Sequence, residues 1–179
     1  MAIEELIAEW AGTACRHIPA HSPFSVLDTR FAAQSRINRW NRFGEPTLYL
    51  ASDHAVLVGE FARHMREARD PPLAQTVQAR RIYDLRLRLD AVLDLRDPAT
   101  HQALSLHGAP RCFLDRTVAR ATAGFLRATT PAQALLAPSM AFLDQPHGWV
   151  MVLFLENLPA GLEVAVEAVD EDGLLRLEL

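Results

Sequence analysis

Hydrophobic positions recur along this chain with two different periods, and the period distinguishes strands from helices. Leucines alternate with arginines over residues 81–89, which is typical of a strand with one buried and one polar face. Apolar residues recur at intervals of three or four over residues 114–127, which predicts an amphipathic helix. The chain therefore combines half-buried strands with amphipathic helices.

The same patterns predict the order of the other elements. Further helices are expected at residues 3–10, at 53–69 with Asp53 as the cap and an Asp-Pro-Pro sequence as the stop, and for one turn from Asp97. Further strands are expected at residues 14–18, 47–51, 91–95, 132–136, 149–155, 162–169 and 174–179. The last two are expected to pair around the polar turn 170–173. These elements predict an α+β fold, a single compact mixed domain over residues 1–179 with a strand-rich C-terminal half.

Composition excludes several functional classes. A net charge of −4 gives no bulk attraction to nucleic acid or to an anionic membrane. The two cysteines, Cys15 and Cys112, match no metal-ligand spacing, and the histidines are scattered, so we expect no metal site. Without a disulfide framework or a recognisable signal peptide, the expected location is the cytoplasm of a bacterium. There is also no serine-hydrolase elbow or zinc-protease motif.

Residues 36–60 hold the densest group of candidate functional side chains. Four arginines lie within thirteen positions, of which the first comes just before this segment, and they could form a phosphate clamp through their forked donors. They are Arg30, Arg36, Arg39 and Arg42. Tyr49 lies in the middle of a predicted strand, and Glu60 lies at the edge of the apolar stripe of the following helix. Ser139 follows a proline at the end of a later strand. These parts suit the binding of a dinucleotide and chemistry at its glycosidic bond.

Each of these residues also has an ordinary structural interpretation. The arginines could form a solvated basic loop, and Tyr49 could be a core or sheet-surface residue. Glu60 could be a solvated residue at a helix edge, since burying an unpartnered carboxylate is costly. Ser139 could be a simple turn residue.

Taken together, the residues resemble the RES domain, the toxin half of bacterial RES–Xre toxin–antitoxin pairs. The core pattern of that family stands here as Arg39-Trp40-Asn41, Gly44, Leu48-Tyr49-Leu50-Ala51 and Glu60. Weaker similarities lie at residues 16–19, 92–96, 137–139 and 154–158, so the resemblance is strongest over residues 14–158. The chain departs from the pattern at Met140 and at Trp149, and these departures affect the expected second-substrate specificity more than NAD+ binding.

The resemblance implies a fold similar to ADP-ribosyltransferase toxins and an activity on NAD+ that cleaves the nicotinamide–ribose bond. The implied catalytic residues are Glu60, Arg39, Tyr49 and Ser139, with Arg16, Arg39, Tyr49 and Ser139 in contact with NAD+. In this interpretation, Glu60 stabilises the cationic ribose, Arg39 anchors the pyrophosphate with Arg16, and Tyr49 flanks the nicotinamide. Ser139 contacts the carboxamide or a phosphate.

The resemblance also implies an Xre-type helix-turn-helix antitoxin as the protein partner. The acceptor is left open among water, inorganic phosphate and a target protein, the last of which would make the chain a protein ADP-ribosyltransferase. A catalytically silent nucleotide-binding or antitoxin-interaction module is the alternative outside enzymes. Formation of a homo-oligomer also stays open.

Overall fold

The computed structural model describes residues 2–67, 77–145 and 147–178. Its strands are β1 (Ile7–Pro19), β2 (Thr47–Ala51), β3 (Val77–Asp94), β4 (Ala134–Pro138), β5 (Trp149–Phe154) and β6 (Val166–Glu178). Its α-helices are α1 (His54–Glu67), α2 (Pro98–Ala103), α3 (Arg116–Thr129) and α4 (Leu162–Ala165). Three short 3-10 helices lie at Ile3–Leu6, Arg111–Leu114 and Leu155–Asn157. The mixed α+β architecture predicted from the sequence is confirmed.

The six strands form one sheet in the order β1-β2-β5-β4-β3-β6, and an additional pairing of β1 with β3 closes it on itself. The long strand β3 makes this closure possible, because it pairs with β1 along one edge and with β6 and β4 along the other. Only the β3–β4 pair is parallel. The sheet thus forms a continuous wall that positions the residues of the site described below.

The core lies on both faces of this wall. Along β4 and β5, successive residues alternate between two apolar clusters, one shared with the helices α1 and α3 and the other on the opposite face of the sheet. Phe154 belongs to the first cluster and Leu153 to the second, and both are fully buried. Strands buried on both faces read as continuous apolar runs, which explains the uninterrupted hydrophobicity of residues 150–155.

Several predicted elements are confirmed with small shifts. Strand β2 has the predicted bounds, and the Asp53 carboxylate caps α1 by accepting a 2.9 Å hydrogen bond from the Val56 amide. Asp97 caps α2 in the same way through the amide of Ala99. The predicted end of the helix near residue 69 and its Asp-Pro-Pro stop lie outside the described residues.

Three predicted elements are wrong. The predicted helix over residues 3–10 is a 3-10 turn that leads into β1 at Ile7, because this segment joins the ladder with β3. The two strands predicted at 81–89 and 91–95 are one strand, β3. The predicted C-terminal hairpin does not form, since residues 162–165 are helical and the polar residues 170–173 lie within the continuous strand β6. At this place the ladder runs from Tyr83–Glu171 to Ile82–Gly173, which leaves Asp172 as the extra residue of a bulge.

No helix among the described residues is long and apolar enough to cross a membrane.

Candidate functional site

A cleft of about 750 Å³ opens beside β1, β2 and α1. The irregular segment between β1 and β2 contributes much of its wall, including Phe24 and Phe31, whose side chains are exposed. Four of the five predicted site residues line the cleft: Arg16, Arg39, Tyr49 and Glu60. The fifth, Ser139, is fully buried and is linked to the cleft through Glu60.

Glu60 is held by hydrogen bonds from both sides. Its Oε1 accepts from the Ser139 hydroxyl at 2.7 Å and from the Ala141 amide at 2.8 Å. Its Oε2 accepts from Nη2 of Arg63 at 2.9 Å and from Nε at 3.2 Å. These four hydrogen bonds hold the side chain of Glu60 in a fixed orientation at the wall of the cleft.

The approach of the 139–142 segment to α1 depends on Gly59. A Cβ atom at this position would lie 2.5 Å from Cε2 of Phe142 and 3.2 Å from Cβ of Ala141. The first distance is shorter than any ordinary carbon–carbon contact. Gly59 therefore lets the segment that carries the Ser139 and Ala141 donors lie against the helix next to Glu60.

Arg39 lies in the cleft wall but is already engaged with the protein. Its Nη1 donates to the carbonyls of Phe113 at 2.8 Å and Leu114 at 2.7 Å, and its Nη2 donates to Glu67 at 3.2 Å. Its buried Nε has no hydrogen-bond partner among the described residues. Burial, followed by the nearby charge of Arg63, lowers the pKa of Arg39. Arg39 thus ties the cleft wall to residues 113–114 and adds a positive charge to the lining.

Arg16 is a second cation in the cleft. Its Nη1 donates to the carbonyl of Val26, and burial lowers the pKa of Arg16 to about 10 while the charge of Asp28 opposes that shift. The side chain therefore stays positive at neutral pH. Arg63, which the sequence analysis did not single out, is the third arginine in the lining.

The four-arginine clamp predicted from residues 30–42 is not assembled. Arg30 is exposed, pairs with Asp28 and lies over the ring of Phe24. Arg36 and Arg42 are also exposed, and only Arg39 of the four lines the cleft. The positive lining comes from three separate elements instead, which their spacing in the sequence could not reveal.

The hydroxyl of Tyr49 is committed to the protein. It donates to Oδ1 of Asn41 at 2.7 Å and accepts from the Trp40 amide at 3.2 Å. Burial raises the pKa of Tyr49, so the phenol stays neutral. Tyr49 therefore fixes the Arg-Trp-Asn segment beside the cleft, and its ring is the part that lines the cavity.

Three histidines line the cleft, and they are His17, His21 and His64. The sequence did not single them out, because the seven histidines of the chain are scattered and no motif marks these three. His17 of β1 accepts a 3.0 Å hydrogen bond at Nδ1 from Nε of Arg80 and packs edge-on against Phe61 at 4.6 Å. Burial, then the charges of Arg80 and Arg16, lowers the pKa of His17 to about 3. Its ring is thus neutral with the proton on Nε2, which leaves a donor. Burial, followed by the charge of Arg63, also lowers the pKa of His64.

The two departures from the family pattern lie in different places. Met140 lines the cleft. Trp149 instead packs edge-on against Trp10, with ring centroids 5.7 Å apart.

Comparisons with known proteins identify a family and a similar fold. The family model for the RES domain matches residues 10–177. Among solved structures, the chain is similar to one described as the crystal structure of the M. tuberculosis MbcT–MbcA toxin–antitoxin complex. The match has a TM-score of 0.65 at 20% sequence identity and covers 96% of this chain and 87% of that chain. Comparison with the curated proteins gives no match. At this level of identity, the solved structure supports the fold.

Proposed function

The chain belongs to the RES domain family, and we propose that it is an enzyme that degrades NAD+ by cleaving the bond between nicotinamide and ribose. The observation that carries this proposal is the fixed carboxylate of Glu60 in the wall of a cleft whose other charged side chains are mainly arginines. A negative charge in positive surroundings suits a substrate with an anionic diphosphate and a reacting centre that becomes cationic.

Glu60 would stabilise the transition state. As nicotinamide leaves, positive charge develops on the ribose ring, and a preoriented carboxylate lowers the energy of that charge. The hydroxyl of Ser139 and the amide of Ala141 hold Oε1 in place, so little reorganisation is needed during the reaction. In this mechanism Ser139 is a positioning residue that orients Glu60. It would not make the direct contact with NAD+ that the resemblance had implied.

Arg63 would couple binding of the diphosphate to exposure of Glu60. Its guanidinium spans Oε2 of Glu60 and the carboxylate of Glu67. A diphosphate bound beside Arg16 and Arg63 would compete for this guanidinium, since arginine binds phosphate through the same forked donors. Once released from Arg63, Oε2 would accept a hydrogen bond from a ribose hydroxyl and would orient the incoming nucleophile.

Tyr49 and Arg39 would act mainly as parts of the binding surface. The ring of Tyr49 would flank the nicotinamide, while its hydroxyl stays bonded to Asn41. Arg39 would contribute its positive charge to the binding of the diphosphate. Remote binding of this kind holds the reacting bond beside Glu60.

We further propose that the chain acts as the toxin of a RES–Xre pair in the bacterial cytoplasm. The similar solved structure is that of a toxin–antitoxin complex. Phe24 and Phe31 line the cleft and are exposed, so an antitoxin segment that occupied the cleft would contact an apolar surface there. Depletion of NAD+ would then occur only when the antitoxin is absent.

The test is NAD+ consumption by the purified chain beside Glu60→Gln, which keeps the shape of the side chain and removes its charge. We expect turnover to fall by orders of magnitude in Glu60→Gln while the thermal unfolding transition stays cooperative. Glu163→Gln, at an exposed position on α4, is the matched control and should retain full turnover. Wild-type consumption by a folded Glu60→Gln variant would refute the assignment.

The same assay identifies the acceptor. A rate that rises with added inorganic phosphate and yields a phosphorylated ADP-ribose product indicates phosphorolysis, whereas ADP-ribose in phosphate-free buffer indicates hydrolysis. Transfer of labelled ADP-ribose to protein would indicate a protein ADP-ribosyltransferase. A chain that binds NAD+ without consuming it under all three conditions would be a silent binding module.

A further inference from the structure

Four side chains with metal-binding atoms meet at the N-terminal end of α1, and none of them lines the cleft. They come from four different elements and are Cys15 of β1, His54 of α1, Asp84 of β3 and Asp172 of β6. The donor atoms of Cys15, His54 and Asp84 all lie within 4.8 Å of one another. From this arrangement we propose that these four side chains bind a structural Zn²⁺ ion.

Three of the distances between donor atoms are close to those of a tetrahedral zinc site. Oδ1 of Asp84 lies 3.1 Å from Sγ of Cys15 and 3.5 Å from Nε2 of His54. Nε2 of His54 also lies 3.4 Å from Oδ2 of Asp172. Zinc–ligand bonds of about 2.0–2.3 Å in a tetrahedron separate neighbouring ligand atoms by about 3.3–3.5 Å. These three pairs of donor atoms therefore already lie near the spacing that a bound ion requires.

The fold brings these four residues together through the register of the sheet. Cys15 and Asp84 are direct partners in the β1–β3 ladder, so their side chains leave the same face. Asp172 is the extra residue of the bulge in β6, beside Gly173 with its φ of +146°. A bulge redirects a side chain that would otherwise alternate with its neighbours, and here it brings Asp172 to His54.

The charges of the cluster also favour a cation. Asp84 and Asp172 form no salt bridge with an arginine among the described residues, whereas Glu60 and Glu67 on α1 both pair with arginines. Their only cationic partner among those residues is His54, and it is cationic only when protonated. A divalent ion would balance the two carboxylates and satisfy the thiol and imidazole at the same time.

The set of donors selects zinc over harder cations. Thiolate and imidazole are preferred by Zn²⁺, whereas Mg²⁺ and Ca²⁺ prefer sites made of oxygen atoms. Four protein ligands leave no open position, which is typical of structural rather than catalytic zinc. The ion would join β1, β3 and β6 to the first turn of the helix that carries Glu60.

The proposal departs from the sequence-based expectation of no metal site. Spacing could not reveal the site, because its ligands lie at four distant positions and only one of them is a cysteine. The partially exposed side chains of His54, Asp84 and Asp172 give the ion a route from solvent to the buried thiol.

The test is metal binding by the full chain after treatment with a chelator, with Zn²⁺ measured by competition with a chromophoric chelator. We expect one Zn²⁺ per chain and a melting temperature that rises with zinc concentration. Substitution by Co²⁺ should give the thiolate charge-transfer absorption and the strong visible bands of a tetrahedral site. Mg²⁺ should produce neither the stabilisation nor competition with zinc.

Variants separate this site from adventitious binding. Asp172→Asn, at a half-exposed position, and Cys15→Ser should each weaken zinc binding by at least about 10-fold, the lower end of what changes around metal sites cost. Two variants are the matched controls and should bind zinc as tightly as the original chain does. They are Glu171→Gln, at the residue directly before Asp172 in β6, and Cys112→Ser, at the other free cysteine. Absence of stoichiometric binding, or unchanged affinity in both Asp172→Asn and Cys15→Ser, would overturn the proposal. None of these measurements depends on the activity towards NAD+.

Discussion

The Ser139 hydroxyl donates a 2.7 Å hydrogen bond to Oε1 of Glu60, although the two residues are 79 positions apart in the chain. Ser139 is fully buried, whereas Glu60 lines the cleft. The arrangement separates two roles that the sequence could not distinguish. In the proposed mechanism, Glu60 would face the substrate and Ser139 would act on it only through Glu60.

Ser139→Ala should therefore lower kcat more than it raises KM. The variant removes one donor from the carboxylate and leaves its charge, and hydrogen bonds to charged groups are worth about 1.5–3 kcal/mol. The measurement is a double-mutant cycle with Glu60→Gln on NAD+ turnover. We expect Ser139→Ala to add little to the loss already caused by Glu60→Gln. Independent, additive losses would instead indicate that Ser139 contacts NAD+ directly.

Gly59→Ala should lower activity by displacing the segment that carries two of the donors to Glu60. The added Cβ would meet the ring of Phe142 at 2.5 Å, so either the ring or the backbone of residues 139–142 must move. The measurement is turnover beside thermal stability. The matched control is Gly124→Ala in α3, whose nearest neighbour is 4.0 Å away and which should stabilise the helix by about 0.5–1 kcal/mol.

A second substitution tests the cause of that loss. Phe142→Leu in the Gly59→Ala background removes the far end of the ring that the new Cβ meets, and turnover should be partly restored. A double variant no more active than Gly59→Ala would contradict this explanation.

Predictions from sequence were most accurate where the signals are contiguous. Strand β2, its Asp53 cap and the start of α1 follow one another within eleven residues, and each has a local physical cause. The first residues of the chain were predicted wrongly because Ile3, Ile7 and Trp10 have helical spacing, while pairing with β3 requires Ile7 and Trp10 to be in a strand. Long-range pairing outweighed local periodicity there.

The same distinction applies to the site. Arg39, Tyr49 and Glu60 come from one contiguous block, so their pattern could be recognised. The contacts that define their roles come from elsewhere: Ala141 for Glu60 and residues 113–114 for Arg39. The polar residues 170–173 look like a turn, but β3 is long enough to pair beyond them, and a bulge absorbs the extra residue. Such contacts depend on the closed sheet and leave no local signal.

Tyr49→Phe should reduce stability more than activity. The hydroxyl accepts from the Trp40 amide, and leaving this buried donor unpaired costs about 1–3 kcal/mol, whereas Oδ1 of Asn41 keeps its hydrogen bond from Asn38. The ring that would flank nicotinamide remains. We expect a lower midpoint in urea unfolding with a nearly unchanged KM for NAD+. Tyr83→Phe, on β3 outside the cleft lining, is the control. A KM that rises strongly in folded Tyr49→Phe would show that the hydroxyl itself contacts the substrate.

His17 should make the folded state sensitive to mild acid. Its pKa falls from the usual 6.5 to about 3 on folding, so between these values the unfolded chain binds a proton that the folded chain does not. The stability due to the neutral ring is complete above pH 6.5 and is lost as the pH falls towards 3. This one residue can change the free energy of unfolding by at most about 1.4 kcal/mol per pH unit.

His17→Asn should flatten that slope, since the amide oxygen can accept from Arg80 as Nδ1 does but does not titrate. The measurement is the free energy of unfolding in urea between pH 6.5 and 5, a window chosen because most carboxylates stay ionised there. His147→Asn at an exposed position is the control and should leave the slope as it is. Equal slopes in the original chain and in His17→Asn would mean that the loss of stability in mild acid comes from other groups. In that case the pKa of His17 would be the same in the folded and unfolded chain, and its contacts with Arg80 and Phe61 would not keep the ring neutral.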